Sequence, residues 1–343
     1  MAKLISVKGP HTTDPDRPVK IQWSMGNVCN YSCTYCPSIL HNGTKPWLPL
    51  DRYLKIVDKI SSHYVDNQNR NMHWELIGGE ITTIPMFEKI IERIHSYNSS
   101  CTIYTNGSRT VEWWKDAREY LSGVVITYHP LTMDKQHLFD VVNVLKGHCT
   151  IDLNIAGVGG MVSELGDVAD ELRELFVDNA QQSVYDVNIT VKTLYKKYLG
   201  DNDNQQDPYY QYNDEEMRVL QRPGLLPRPY SPPSQHEETD PDDSMNHPRF
   251  WSTEFLYDDG TSKYVQSHQI INEGLNQFKG MKCELGYDSI NIDMNGEVIS
   301  SWCGAKSFGN ITQIDDWDLP STETVCPYEF CNNLNDISIT KTC

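Results

Sequence analysis

Three cysteines, Cys29, Cys33 and Cys36, stand within the eight residues "CNYSCTYC". The thiolate form of cysteine is a metal ligand. Three of them spaced CxxxCxxC on one short loop can hold three corners of a cubane iron–sulfur cluster and leave the fourth iron open to a substrate or cofactor. Structural zinc normally takes four ligands, and only His41 lies nearby to complete such a set.

A second set, Cys283, Cys303, Cys326 and Cys331, supplies enough thiols for a closed site. It could hold an iron–sulfur cluster or serve as a zinc knuckle. Cys343 is available to replace Cys326 or Cys331. Cys101 and Cys149 open predicted strands and read as small buried hydrophobes.

The elements that must position these thiols follow from periodicity. Short β-rich runs, "KIQWSM", "MHWELIGG", "CTIYTNG", "GVVITYH", "CTIDLNIAG" and "YDVNITVKTL", alternate with amphipathic stretches. The latter include "PLDRYLKIVDKISSHY", "PMFEKIIERIHSY" and "HLFDVVNVLKG", with apolar residues three and four apart and Gly147 as a stop. Such alternation implies parallel βα units wound right-handedly around one core. The expected fold class is α/β, a partial (β/α)6 TIM-like barrel over residues 1–199. The cysteine loop follows the first of these strands, and the carboxyl ends of barrel strands are where active sites collect.

Residues 200–250 break the pattern with an acidic, Pro-rich and Tyr-rich run that reads as an insert: a linker or a substrate-covering lid. Residues 251–343 return to β-structure, with hairpins turning at Asp259-Gly260 and Asn295-Gly296. The last cysteines flank or follow the second hairpin, which makes this a small C-terminal domain.

The formal charge of −18 argues against a nucleic-acid partner, because phosphate binding depends on Lys and Arg. It suits a cationic peptide or small molecule. No apolar run is long enough to span a bilayer. The N-terminal "MAKLISVKGPHTTD" lacks the apolar core of a signal peptide, so a cytoplasmic location is expected.

Together, "CNYSCTYC", "GGE" at the end of the second predicted strand and "YTNGS" at the end of the third resemble the radical S-adenosylmethionine (SAM) superfamily. Alone, "GGE" and "TNG" also read as ordinary turns. The resemblance implies that Cys29, Cys33 and Cys36 bind a [4Fe–4S] cluster whose open iron is chelated by the methionine part of SAM. Reductive cleavage then yields a 5′-deoxyadenosyl radical that removes hydrogen from a substrate. On that model Tyr35 packs beside the adenine. Gly78, Gly79 and Glu80 receive the methionine ammonium, the glycines by close backbone approach and Glu80 by its charge. Thr105, Asn106 and Gly107 face the ribose. Thr127, His129 and Asn154 lie at or near later strand ends and are weaker candidates for contact with cofactor or substrate. "GVGG" at 157–160 reads as a close-approach loop near the adenosine.

The C-terminal cysteines resemble the twitch domain, a shorter relative of the SPASM domain with one auxiliary [4Fe–4S] cluster. The spacing departs from that pattern: six residues separate Gly296 from Cys303, and the closing pair is CxxxxC. The implied function is a radical SAM oxidoreductase that oxidises or cross-links a peptide, fed by a reducing donor such as flavodoxin or ferredoxin. Dehydrogenation or rearrangement of a small polyol, amino sugar or nucleoside is the alternative. A non-catalytic metal-binding scaffold is the alternative of another class.

Overall fold

The computed structural model describes residues 2–9, 17–176, 187–194, 209–220 and 252–343. In chain order the strands and helices begin with β1 (Leu4–Lys8), β2 (Val19–Ser24), α1 (Leu50–Ser61), β3 (Met72–Ile77) and α2 (Phe87–Ser96). There follow β4 (Ser100–Thr105), α3 (Val111–Ala117), β5 (Gly123–Tyr128), α4 (Lys135–Leu145), β6 (Thr150–Gly157), α5 (Val162–Phe176), β7 (Val187–Thr193) and α6 (Asp214–Leu220). The C-terminal part contains β8 (Thr253–Tyr257), β9 (Ser262–Val265), α7 (Ser267–Asn272), β10 (Lys282–Cys283) and β11 (Ser289–Ile292). It closes with β12 (Glu297–Ile299), β13 (Ser307–Asn310), β14 (Thr324–Val325), α8 (Leu334–Ile337) and β15 (Lys341–Thr342).

The chain divides into two compact units, one of Met1–Gln22, Asp58–His73 and Ser231–Cys343, the other of Trp23–Val57 and Trp74–Tyr230. The second unit is α/β. It holds β4 to β7 and the C-terminal parts of β2 and β3, with sheet order β2–β3–β4–β5–β6–β7, and the β4–β5, β5–β6 and β6–β7 pairings are parallel. A helix separates each strand from the next, as a right-handed parallel winding requires. This is the partial barrel arrangement.

One face of each strand is apolar and covered by helices. Trp74 and Leu76 on β3, Ile103 on β4 and Ile151, Leu153 and Ile155 on β6 are buried, as are Phe87, Ile90, Ile91 and Ile94 on α2. Side-chain caps open helices: Thr110 accepts the Trp113 N–H ahead of α3, and Asp134 accepts the His137 N–H ahead of α4. Gly147 adopts φ +80° just after α4, in the left-handed region a helix stop favours.

The other unit is antiparallel. One sheet has the order β14–β10–β15–β1–β8–β9, and β11, β12 and β13 pair in sequence. Both expected hairpins form, with Gly260 at φ +81° and Gly296 at φ +79° in their turns. Its apolar core gathers Val7, Phe255, Ile270, Phe278, Met281 and Leu285 around three of the C-terminal cysteines.

The insert expected over 200–250 lies mostly outside the described residues. Its described part, 209–220, holds a tyrosine-rich turn and α6. Among the described residues no helix is long and apolar enough to cross a membrane.

Candidate functional site

The cysteine loop is pinned at its root by backbone hydrogen bonds. Met25 N–H donates to the Ile77 carbonyl (2.8 Å), Gly79 N–H to Gly26 (3.0 Å) and Glu80 N–H to Val28 (2.8 Å). This is why glycines stand at 78 and 79. A Cβ on Gly79 would lie 2.1 Å from the Val28 carbonyl oxygen, and one on Gly78 would lie 2.8 Å from that of Gly26. The two glycines therefore serve the chain's own close approach to the residues that lead into Cys29.

Asn27, fully buried, organises the far side of the loop. Its amide donates to the Ile39 carbonyl (2.7 Å) and the Asn42 side chain (2.8 Å), and its oxygen accepts the Lys45 N–H (2.7 Å). The loop itself turns tightly, with Cys36 N–H donating to the Cys33 carbonyl at 3.0 Å.

Glu80 is completely buried, and four donors converge on it. Thr82 gives its N–H (3.1 Å) and hydroxyl (2.5 Å), Thr105 its hydroxyl (2.8 Å) and Asn106 its backbone N–H (2.5 Å). Burial pushes the Glu80 carboxyl up, and those hydrogen bonds pull it down. The carboxylate thus joins the "GGE" and "TNG" segments from within. Asn106 then reaches the cysteine loop: its amide donates to the Asn30 side chain at 2.9 Å and points at Cys29 Sγ at 3.9 Å. Asn30 in turn donates to the Ser108 hydroxyl (2.9 Å).

Around Cys33 the partners are aromatic. Tyr35 Oη and His129 Nδ1 share a hydrogen bond of 2.8 Å, their rings stack at 5.8 Å, and Cys33 Sγ lies 3.5 Å from the same nitrogen. Burial lowers the His129 pKa to about 4, which leaves the imidazole neutral near pH 7. Tyr209 packs edge-on to Tyr35 at 6.4 Å, and its hydroxyl donates to the Thr34 carbonyl at 3.0 Å. A cavity of about 400 Å³ opens here, bordered by Cys33, Tyr35, Cys36, His41 and Tyr209. The His41 Nε2 lies 3.1 Å from the Cys36 carbonyl oxygen, a backbone contact rather than a thiol-like ligand position.

The "GVGG" loop is packed by the same tyrosine segment. Tyr212 donates to the Gly157 carbonyl (2.7 Å), Glu216 accepts the Gly160 N–H (2.5 Å), and Gly159 faces the Tyr210 ring. Asn154 and Thr127 are register partners on β6 and β5. Among the described residues neither belongs to the hydrogen-bonded shell of the cysteine loop. Asn27, Asn30, Ser108 and Tyr209 were missed by the sequence reading. The asparagines flank Cys29 without a motif of their own, and Tyr209 lies far along the chain in a tyrosine run.

The three loop thiols fit an iron–sulfur cluster by donor chemistry. They are half-buried, and Cys29 Sγ accepts the Tyr31 N–H at 3.4 Å. Burial raises the Cys36 thiol to about 11, with Cys33 and Cys29 adding repulsion, so an ionised trio needs a cationic occupant. Among the described residues no three His, Cys, Asp or Glu side chains stand close enough to hold a single metal ion. A cluster holds its ligands farther apart than one ion does.

In the other unit, Cys283, Cys326 and Cys331 are buried in one apolar cluster, and Cys303 packs against it. Asn276 fixes Cys331 at both ends, accepting its N–H (2.8 Å) and donating to its carbonyl (3.0 Å). Asp336 accepts the Cys303 N–H (2.7 Å) and the Ser301 hydroxyl. Burial raises Cys303 to about 12 and Cys331 to about 11. Cys343 stands exposed, its thiol donating to the Leu4 carbonyl at 3.3 Å.

The parallel α/β unit carries the three-thiol loop directly after its first strand, β2. Residues 23–152, which contain the loop and both "GGE" and "TNG", match the family described as Radical SAM superfamily. Similar solved structures share little sequence. Streptococcus suis SuiB bound to precursor peptide SuiA is 14% identical, with TM-score 0.36, over 46% of this chain and 37% of that one. BtrN in complex with AdoMet and 2-DOIA is 14% identical, with TM-score 0.37, over 88% of this chain and 82% of that one. Native anSMEcpe with bound AdoMet is 13% identical, with TM-score 0.44, over 88% and 81%. At such scores these likenesses carry no argument about chemistry. No curated protein matches.

Proposed function

We propose that the chain is a radical SAM oxidoreductase whose first cluster is held by Cys29, Cys33 and Cys36. The observation that carries this is the cysteine loop itself, anchored to "GGE" and overlaid by the Asn106 amide within the segment that matches the Radical SAM superfamily. When bound, the cluster and SAM supply the electron and the 5′-deoxyadenosyl radical that takes hydrogen from substrate.

The protein's part is to bind, orient and exclude water. Tyr35 borders the cavity beside Cys33 and offers its ring to the adenine. Gly78 and Gly79 bring backbone polar groups to the loop, Thr105, Asn106 and Gly107 serve the ribose side, and Asn154 is a further cofactor contact. Because Glu80 is already occupied by four donors, its assigned role is to order the Asn106 segment, with the ammonium left to backbone acceptors.

Cys283, Cys303, Cys326 and Cys331 are proposed to hold a second, auxiliary [4Fe–4S] cluster, supported by their convergence in one buried group. Residues 251–343 are then the twitch-like domain. Four protein thiolates saturate such a cluster, which suits passing an electron rather than binding substrate. A peptide is the proposed substrate. The acidic balance of −18 supports a cationic one, and a reducing protein such as flavodoxin or ferredoxin is the proposed donor.

Anaerobic reconstitution with iron and sulfide tests the reading. Reductant-dependent release of 5′-deoxyadenosine from the intact protein, abolished by C29A/C33A/C36A, is expected. Zinc at both sites without SAM cleavage would establish a metal-binding scaffold instead.

A further inference from the structure

Lys341 is 1% exposed, one of the few charged side chains lost to solvent among the described residues. Its ammonium donates to three backbone carbonyls, those of Asp336 (2.9 Å), Ile337 (3.2 Å) and Ile339 (2.7 Å). An ammonium has three protons, so every donor is spent and the charge is fixed in place. Carbonyl dipoles solvate such a cation but do not neutralise it. A buried charge normally stands near an opposite one.

One thiol of the C-terminal set lies across the sheet from it. In the antiparallel pairing of β10 and β15, Lys341 stands directly opposite Cys283. Opposed residues project from the same face. The ammonium also lies 4.8 Å from the centre of the Phe278 ring, and Phe278 shares one apolar cluster with Cys283, Cys326 and Cys331. The buried Asp336 carboxyl interacts electrostatically with Lys341 and also holds the Cys303 N–H and Ser301 hydroxyl, so it shapes the loop that carries the fourth thiol.

We infer that Lys341 is the built-in counter-charge of the four-thiol centre and raises the reduction potential of the cluster bound there. The inference rests on the auxiliary-cluster reading above. Adding one electron adds one negative charge to a centre already carrying four thiolates. A fixed cation nearby stabilises the reduced form more than the oxidised one, because net charge and surroundings set such potentials. Lys341 is thus a positioning residue for electron transfer: a cluster poised this way accepts an electron more readily from a substrate radical, which is oxidised as the cluster is reduced.

The test uses the full chain carrying C29A/C33A/C36A, so that iron and paramagnetism report the second centre alone. Its potential is titrated with a chemical reductant and followed by electron paramagnetic resonance. In this background K341M is expected to keep its iron and to shift the reduction equilibrium at least tenfold toward the oxidised form, which is 59 mV for one electron. K341R should restore most of the shift, and K282M, at the exposed lysine beside Cys283, should move it far less. Loss of iron in K341M with retention in K341R also supports the inference, since charge is then needed to assemble four thiolates. An unchanged potential in iron-loaded K341M overturns it, as does an equal shift in K282M or loss of iron in both Lys341 variants. A parent protein that binds no iron overturns the auxiliary-cluster reading itself, and Lys341's role with it, before any lysine is changed.

Discussion

The Glu80 carboxylate accepts the backbone N–H of Asn106 at 2.5 Å, in a position closed to solvent. This contact links the segment after β3 to the segment after β4 and so sets where Asn106 meets the cysteine loop. A carboxylate is acceptor-only, whereas glutamine places an NH2 group among donors. Glu80→Gln is therefore expected to leave at least one buried donor unsatisfied, costing about 1–3 kcal/mol. Thermal unfolding would show a lower midpoint, and SAM cleavage would fall with it as Asn106 shifts. Wild-type stability in this variant would mean that the carboxylate is not the link.

Gly79 offers a sharper test of the loop's root. Its added Cβ would meet the Val28 carbonyl oxygen at 2.1 Å and the carbonyl carbon at 2.6 Å, both backbone atoms that cannot swing aside. Gly79→Ala should push Val28 and Cys29 outward, with a strain of about 1–3 kcal/mol. The expected signature is selective: iron at the first centre is lost while iron at the second stays. Equal loss at both centres would point to general unfolding instead.

The sequence was most legible where one element's own pattern decided it. The run "PMFEKIIERIHSY" buries Phe87, Ile90, Ile91 and Ile94 on one face of α2, as its spacing implies. The six strands of the α/β sheet also match the runs read from the sequence, with β2 and β4 each starting one residue earlier. The strand β1 was not read, because its meaning lies in pairing: Ser6 meets Thr342 and Val7 meets Phe255, partners hundreds of residues away. The helices α3 and α5 were also unread, although Val162, Leu165, Ala169, Leu172 and Phe176 carry a helical spacing. In the site, residue type marked the thiols and Glu80. It did not mark Asn27, whose importance lies in bonds to Ile39, Asn42 and Lys45 that only the folded loop creates.

Cys343 separates from the other C-terminal thiols. It is exposed and donates to the Leu4 carbonyl, whereas Cys326 and Cys331 are buried together with Cys283. Cys343→Ser is expected to leave the iron content of the second centre unchanged, while Cys326→Ser and Cys331→Ser each lower it. Iron analysis after anaerobic reconstitution decides this. Loss of iron in the Cys343 variant would move that thiol into the ligand set.

Tyr209 fastens the cysteine loop from outside it. Its hydroxyl donates to the Thr34 carbonyl, between Cys33 and Cys36, and its ring packs edge-on to Tyr35. The two contributions can be removed in turn. Tyr209→Phe deletes the hydrogen bond, worth about 0.5–1.5 kcal/mol. Tyr209→Ala also deletes the aromatic contact, worth a further ~0.5–1.5 kcal/mol. If the strap restrains the loop, iron should leave the first centre for a chelator faster in Phe than in wild type, and fastest in Ala. Release from the second centre should not change. Identical rates in all three proteins would mean that the Asn27 and Gly79 contacts alone hold the thiols in place.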